Sequence, residues 1–272
     1  MRQAKEITDF LKCPKTGNRL RFDNIASVVA VEDSLITYPI IDGIVDFCHE
    51  GIDTVSKSYD GCASHYDSYI TSSNIFMKLF NRLLGWSGDD IDDYMEMALS
   101  YLPSRFNGVL LDVPVGTGVF TDSLYARYPD ATVIGVDYSM GMLQVAKKRF
   151  EERGLDNVCL VRADVANLPL ASGAVDIVLS MAGLHAFPDK QAAVAEMRRV
   201  LRPDGSLVAS CYIKGDSWRV DWFVKHYGVR KGFFSPPFFT MDDIGSHLNG
   251  FAIRRQEHIK SGVYFQAVNE ES

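Results

Sequence analysis

The sequence predicts an α/β fold, a mostly parallel sheet with helices on both faces, preceded by a small β-rich segment. Three observations carry the prediction. Apolar strand-like runs alternate with helix-spaced segments through the C-terminal two thirds of the chain. The aliphatic run at residues 109–113 passes directly into a Gly-x-Gly turn at Gly116 and Gly118. A second aliphatic run, "ATVIGVD", ends in Asp137, about 20 residues beyond the glycines, where a carboxylate can reach a ribose diol.

The elements follow in order. Residues 1–50 read as short strands joined by turns, with Pro14, Gly17 and Asn18 marking one turn and Asp42-Gly43 a hairpin. From about Tyr59 the pattern becomes helical. Ile91, Met95, Ala98 and Leu102 fall at i, i+4, i+7 and i+11, and Pro103 closes that helix. A further helix is predicted from near Val119, aiming its N-terminal amides at the glycine turn. Near the C-terminus "TMDDIGSHLNGF" predicts a capped helix from Thr240, and "FAIRRQEHIK" with "GVYFQAV" a closing antiparallel hairpin.

Composition bounds the function. The 272 residues include 47% hydrophobic and 23% charged residues, ordinary for a well-cored globule. A formal net charge of -7 argues against a general nucleic-acid binder. No apolar run approaches the roughly 18 to 20 residues of a membrane span, and the N-terminus lacks the apolar core of a signal peptide. Five scattered cysteines do not read as a disulfide framework, so a cytoplasmic setting is expected. Neither oligomeric state nor partner is legible.

The glycine turn alone fits a dinucleotide site equally well. Two features divide the readings. Thr121 stands where the dinucleotide pattern needs a third glycine, and a branched side chain there opposes close contact of helix, strand and pyrophosphate. Asp112 stands at the entrance to the turn. A carboxylate repels a pyrophosphate and attracts a sulfonium and its amino-acid tail.

These residues carry a resemblance. "LDVPVGTG" resembles the first motif of class I S-adenosylmethionine-dependent methyltransferases, Asp-x-Gly-x-Gly-x-Gly, with Pro114 in place of the first glycine. The likeness continues in order through "GVDYS", "RADVANLP", "VDIVLSMAGLHAF" and "AVAEMRRVLRPDGSLVAS", and covers residues 108–211. It implies a seven-stranded, mostly parallel Rossmann-like methyltransferase sheet with S-adenosylmethionine as cofactor. It also implies methyl transfer, by in-line displacement, to a small-molecule acceptor that is partly apolar. A methyltransferase acting on RNA or protein, a nicotinamide-dependent oxidoreductase and a non-catalytic methyltransferase-like module are the competing classes.

By the same resemblance, Pro114, Gly116 and Gly118 pass beneath the methionine and ribose part, and Asp112 lies near the amino end. Asp137 accepts from the ribose hydroxyls, while Tyr138 and Met142 sandwich the adenine. Asp164 accepts from the adenine amine and the Val165 backbone meets a ring nitrogen; Ser180 completes the cofactor set. Asp164 also suits a turn and Asp112 a helix cap. His185 is the candidate base, or a structural loop histidine. Tyr59 and Tyr66 resemble tyrosines of a helix lying over the cofactor, or simple packing residues.

The acceptor side is expected in the insertion at about residues 214–240, a lid within a methyltransferase domain at residues 51–272. Trp218, Trp222, His226, Tyr227 and Phe234 are its candidate binding residues, with Phe233, Phe238 and Phe239 nearby. An ordinary lid core and a surface touching a lipid phase are the alternatives. Arg219, Lys225, Arg230 and Lys231 suit an anionic acceptor or a solvated face. Finally, "CPKTGNRL" and "YPIIDGIVDF" in residues 1–50 resemble a small zinc-ribbon-like module found beside some methyltransferases. Its second cysteine is here Thr16. Cys13, Cys48, His49, Cys62 and His65 lack ribbon spacing, so the appendage is expected to hold no metal.

Overall fold

The computed structural model describes residues 4–23, 28–32, 34–48, 96–97 and 99–270. Four N-terminal strands, β1 (Leu20–Asp23), β2 (Val28–Val31), β3 (Thr37–Ile41) and β4 (Ile44–Asp46), form an antiparallel meander. At the β3–β4 connection Asp42 and Gly43 both take positive φ, 50° and 81°. That is the two-residue hairpin turn that Asp-Gly favours.

The strands β5 (Val109–Asp112), β6 (Thr132–Asp137), β7 (Val158–Arg162), β8 (Val175–Met181) and β9 (Leu201–Tyr212) pair in parallel. The final hairpin, β10 (Phe251–Ile259) and β11 (Gly262–Asn269), adds antiparallel strands, with β11 against β9. Nearly every residue of β6 and β8 is buried, as parallel strands covered on both faces require.

Among the described residues the sheet holds eleven strands, not seven, in the order β1-β2-β3-β4-β7-β6-β5-β8-β9-β11-β10. The N-terminal meander accounts for the difference. Its last strand β4 pairs in parallel with β7, Val45 opposite Val161, so the edge that β7 would expose is covered. With antiparallel strands at both ends the sheet is mixed. Ile7, Leu11, Val29, Tyr38 and Val45 share one hydrophobic cluster with Leu111, Ile134 and Val161.

Helices α1 (Asp122–Arg127), α2 (Met140–Glu152) and α3 (Lys190–Val200) follow β5, β6 and β8. Two have the caps their sequences advertise. The Ser139 hydroxyl accepts from the Met142 amide at 3.1 Å, and Asp189 from the Ala192 amide at 2.9 Å. Helix α1 begins at Asp122 rather than near Val119. Gly118 turns left-handed at φ 71°, its carbonyl collects the Thr121 and Asp122 amides, and the helix starts only after that turn closes.

Two further helices are α4 (Trp218–Phe223), continued by a π turn at Val224–Gly228, and α5 (Ile244–His247). The expected helix from Thr240 is thus a single turn. Thr240 enters it through its amide, which donates to Asp243 Oδ1 at 2.7 Å. Of the helix ending at Pro103, residues 96–97 and 99–100 are helical and Leu102 is buried; Ile91, Met95 and Ala98 lie outside the described residues. Among the described residues, no helix is long and apolar enough to cross a membrane.

Candidate functional site

The carboxyl ends of β5, β6, β7 and β8 open into one cleft, at the sheet edge where ligands bind in such folds. It encloses ≈ 1160 Å³ of empty space, its open mouth included, which is room for a nucleoside with a tail. The floor is the turn predicted from "LDVPVGTG". Val113-Pro114 is a cis peptide, and Gly116 and Gly118 carry φ of 56° and 71°. A Cβ on Gly118 would lie 2.3 Å from Phe150 Cζ of α2, so this glycine serves close packing as well as turning.

Asp112 ends β5, is 1% exposed and caps no helix. Its Oδ2 accepts from the Tyr125 hydroxyl, which in turn accepts from the Thr121 hydroxyl at 2.9 Å. Its Oδ1 is buried without a hydrogen-bond partner among the described residues. Burial pushes the Asp112 carboxyl up to about 7; the Tyr125 and Thr121 hydrogen bonds oppose that rise and the neighbouring Asp137 adds to it. An unpartnered buried carboxylate oxygen on a ligand-sized cleft is costly unless a cation meets it.

Asp137 ties the first two loops together. Its Oδ2 accepts from the Gly116 amide at 2.9 Å and its Oδ1 from the Ser139 amide at 2.8 Å. Tyr138 and Met142 line the same wall. Asp164 both lines the cleft and makes the turn that its alternative reading expected, since its Oδ1 accepts from the Ala166 amide at 2.9 Å. Val165 follows it on the wall. Of the ten predicted cofactor residues, nine therefore meet on one cleft. Ser180 lies off that wall, fully buried, with its Oγ unpartnered among the described residues.

Sequence reasoning missed four contributors. Tyr125 and Thr121 hold Asp112, and their i, i+4 spacing was a usable signal. Gly183 allows the loop after β8 to rest on the turn, for a Cβ there would lie 2.4 Å from Pro114 Cδ. Arg162, ending β7, donates from Nε to the Tyr138 carbonyl at 2.9 Å, and its guanidinium stands 5.8 Å from the Tyr138 ring centre. Nothing local in the sequence marks these last two.

His185 is not on the cleft wall, although the next residues, Ala186, Phe187 and Pro188, are. Its Nδ1 accepts from the Tyr212 amide at 3.2 Å, which assigns the ring proton to Nε2. Burial, and then the cationic Lys190, push its pKa down to about 3. The ring is therefore uncharged at neutral pH, and its free nitrogen is a donor. Burial also lowers Lys190, to about 8, while its Nζ donates to the Phe187 carbonyl at 3.0 Å and to the Ser235 carbonyl.

Of the predicted acceptor residues, Phe234 packs inward. It stacks on His185, centroids 4.6 Å apart, and meets Tyr212 edge-on at 5.6 Å. Trp218, Trp222, His226 and Tyr227 are exposed and none lines the cleft. The reason is helical geometry: the inward positions of α4 and its continuation are taken by Val220 and Val224, which pack on Tyr212. Tyr59 and Tyr66 lie outside the described residues, as do His49, Cys62 and His65. Cys13 Sγ lies 3.2 Å from the Tyr38 hydroxyl, and no group of three metal-ligating side chains occurs among the described residues.

Comparison with known proteins agrees with this geometry. Residues 110–205 match a family model described as a methyltransferase domain. An uncharacterized chloroplastic methyltransferase of Arabidopsis thaliana is 32% identical over 202 residues, which are 63% of this chain and 57% of that protein. A demethylmenaquinone methyltransferase of Thermus thermophilus is 38% identical over 133 residues, 48% of this chain and 58% of its own. The chain thus spans somewhat under three fifths of these relatives. The solved structure of a SAM-dependent methyltransferase from Aquifex aeolicus superposes with a TM-score of 0.55 at 15% identity, covering 80% of this chain and 100% of that one. Residues 110–205 thus match a methyltransferase domain, and the chain shares the fold of solved SAM-dependent methyltransferases.

Proposed function

We propose that the protein transfers a methyl group from S-adenosylmethionine to a small, partly apolar acceptor. The observation that carries this reading is the unpartnered Oδ1 of Asp112, buried on a cleft whose floor is the Gly116–Gly118 turn. The amino group of a methionine tail satisfies that oxygen; a pyrophosphate does not. We read Asp137 as the ribose contact and Tyr138, Met142, Asp164 and Val165 as the adenine contacts, since all five line the cleft. The cofactor, when bound, supplies a methyl group already activated on a sulfonium.

The chain's own residues then have to align and to exclude water. The Asp137 carboxylate fixes the glycine turn through the Gly116 amide, so the turn is ordered before a ligand arrives. On the acceptor side, Ala186 and Phe187 of the wall adjoin the stacked pair His185 and Phe234. We read that pair as the border of the acceptor pocket. His185 there orients an acceptor by donation from Nε2; with a pKa near 3 it is a poor proton acceptor. The Thermus thermophilus relative acts by its name on a quinone, an acceptor of the ring-bearing class favoured here. Residues 1–50 are read as an appendage of a catalytic unit at residues 51–272, in a cytoplasmic setting that the scattered cysteines favour.

The test is to incubate the full chain with S-adenosylmethionine and a panel of phenols, quinols and carboxylic acids. Production of S-adenosylhomocysteine dependent on one acceptor, with a mass gain of one methyl group in it, supports the reading. Cofactor binding with no turnover on any acceptor, including RNA and protein extracts, overturns the catalytic part.

A further inference from the structure

The outward face of the lid helix is unlike the rest of the surface. From residue 218 to residue 231 the chain continues helically through α4, the π turn and Val229, and then into a turn. Its exposed aromatics are Trp218 at 75%, Trp222 at 60% and Tyr227 at 48%. Its exposed cations are Arg219, Lys225, Arg230 and Lys231, with His226 between them. The run contains one acid, Asp221, and that side chain is turned inward. Its Oδ1 accepts from the Tyr212 hydroxyl at 2.5 Å and its Oδ2 from the Gly215 amide at 3.1 Å. Every exposed side chain of the run is therefore aromatic or basic, on a chain whose net charge is -7.

The cations and rings are also in register. The Arg219 guanidinium stands 5.6 Å from the Trp218 ring centre, and Lys231 Nζ 5.9 Å from that of Tyr227. The exposed surface of this helix thus pairs aromatic rings with positive charges. Indole and phenol rings of that kind settle at the boundary of headgroups and acyl chains, and Lys and Arg beside them meet anionic headgroups. A single helix face offers no groove to track a nucleic-acid strand, and the chain's negative charge opposes a polyanion approaching elsewhere.

We propose that the face formed by residues 218–231 docks the protein on an anionic lipid bilayer. The same helix packs its inner residues Val220 and Val224 on Tyr212, and Tyr212 meets Phe234, the ring stacked on His185. The docked face is thus linked to the acceptor border through Val220, Val224 and Tyr212. A bilayer-borne acceptor with an apolar chain fits this arrangement; that consequence rests on the methyl-transfer reading, whereas the docking does not.

The test uses the full chain, without cofactor, sedimented with extruded vesicles of phosphatidylcholine alone or with about 30 mol% phosphatidylglycerol. The proposal expects binding to the anionic vesicles at least tenfold tighter than to neutral ones, with a blue shift of tryptophan emission. The triple charge reversal Lys225→Glu, Arg230→Glu, Lys231→Glu should weaken it at least tenfold at low salt. Trp218→Ala with Trp222→Ala should abolish the binding that survives high salt. All five substituted side chains are exposed, so circular dichroism and the thermal transition should match the parent. Binding that is absent, equal for parent and variants, or outcompeted by single-stranded RNA would overturn the proposal. Calorimetric titration with S-adenosylhomocysteine on the same samples shows separately whether the cofactor reading stands.

Discussion

Arg162 Nη1 stands 3.2 Å from Asp46 Oδ2, joining the last strand of the N-terminal meander to the strand that ends at the cofactor cleft. Both side chains are mostly buried, at 11% and 2% exposed. Asp46 Oδ1 also accepts from the Cys48 amide at 2.8 Å, and Arg162 holds the Tyr138 carbonyl through Nε. The meander therefore reaches the Tyr138 wall of the cleft through two side chains.

Asp46→Ala should strand the Arg162 guanidinium and cost about 3 kcal/mol of stability, the usual effect of removing one partner of a buried pair. It should also weaken S-adenosylhomocysteine binding several-fold, because Tyr138 loses its fixed anchor. Thermal unfolding and calorimetry read the two effects. A stability loss with unchanged affinity would make the meander a mere edge cover.

Asp112 predicts a pH dependence. Its folded pKa of about 7 lies above the ordinary 3.8, so the ligand-free fold binds the extra proton. Its cost to stability is absent below pH 4, grows as pH rises to about 7 and is constant above, up to about 4 kcal/mol by linkage. A cationic ligand reverses the preference and requires the ionised form. Cofactor affinity should then fall about tenfold per pH unit below 7, with proton release at neutral pH. Asp112→Asn should flatten both curves. A parent affinity constant from pH 5.5 to 8 contradicts the assignment.

Phe234→Ala should lower turnover strongly while leaving cofactor affinity within a few fold, since the ring touches His185 and Tyr212 rather than the cofactor wall. His185→Ala should lower kcat by a factor that does not change between pH 5.5 and 8.5, as expected for a neutral donor. An inflection near pH 6.5 in the parent that the variant loses would restore the base.

Purified protein should carry no stoichiometric zinc, because Thr16 stands where a ribbon needs a thiolate and Cys13 faces the Tyr38 hydroxyl. Elemental analysis giving one zinc per chain, removed by a chelator with loss of fold, refutes this.

What was legible in the sequence was local. The glycine turn and Asp137 follow from backbone needs and spacing, the Asp42-Gly43 hairpin from turn chemistry, and Asp164 from the family resemblance alone. The eleven-stranded sheet was not legible, because nothing in "IIDGIVDF" says that its strand pairs with one 116 residues later. Asp46 and Arg162 escaped notice for the same reason. The aromatic count of the lid was plain, but which rings face inward depends on where the helix starts and on the π turn. That phase puts Val220 and Val224 inside and the tryptophans out. His185 was legible as a candidate base or a loop histidine, yet its basicity is set by burial and by Lys190, which only the folded chain brings to it.

The cleft at the carboxyl ends of β5 to β8 suits an S-adenosyl nucleoside better than a dinucleotide. The most direct measurement is calorimetric titration of the full chain with S-adenosylhomocysteine and, separately, with NAD. One S-adenosylhomocysteine per chain is expected, with affinity weakened about 10- to 100-fold by Asp137→Asn, which keeps one acceptor for the two backbone amides but removes the charge. No measurable NAD binding is expected. Stoichiometric NAD binding, or no S-adenosylhomocysteine binding by a folded chain at pH 8, would contradict it.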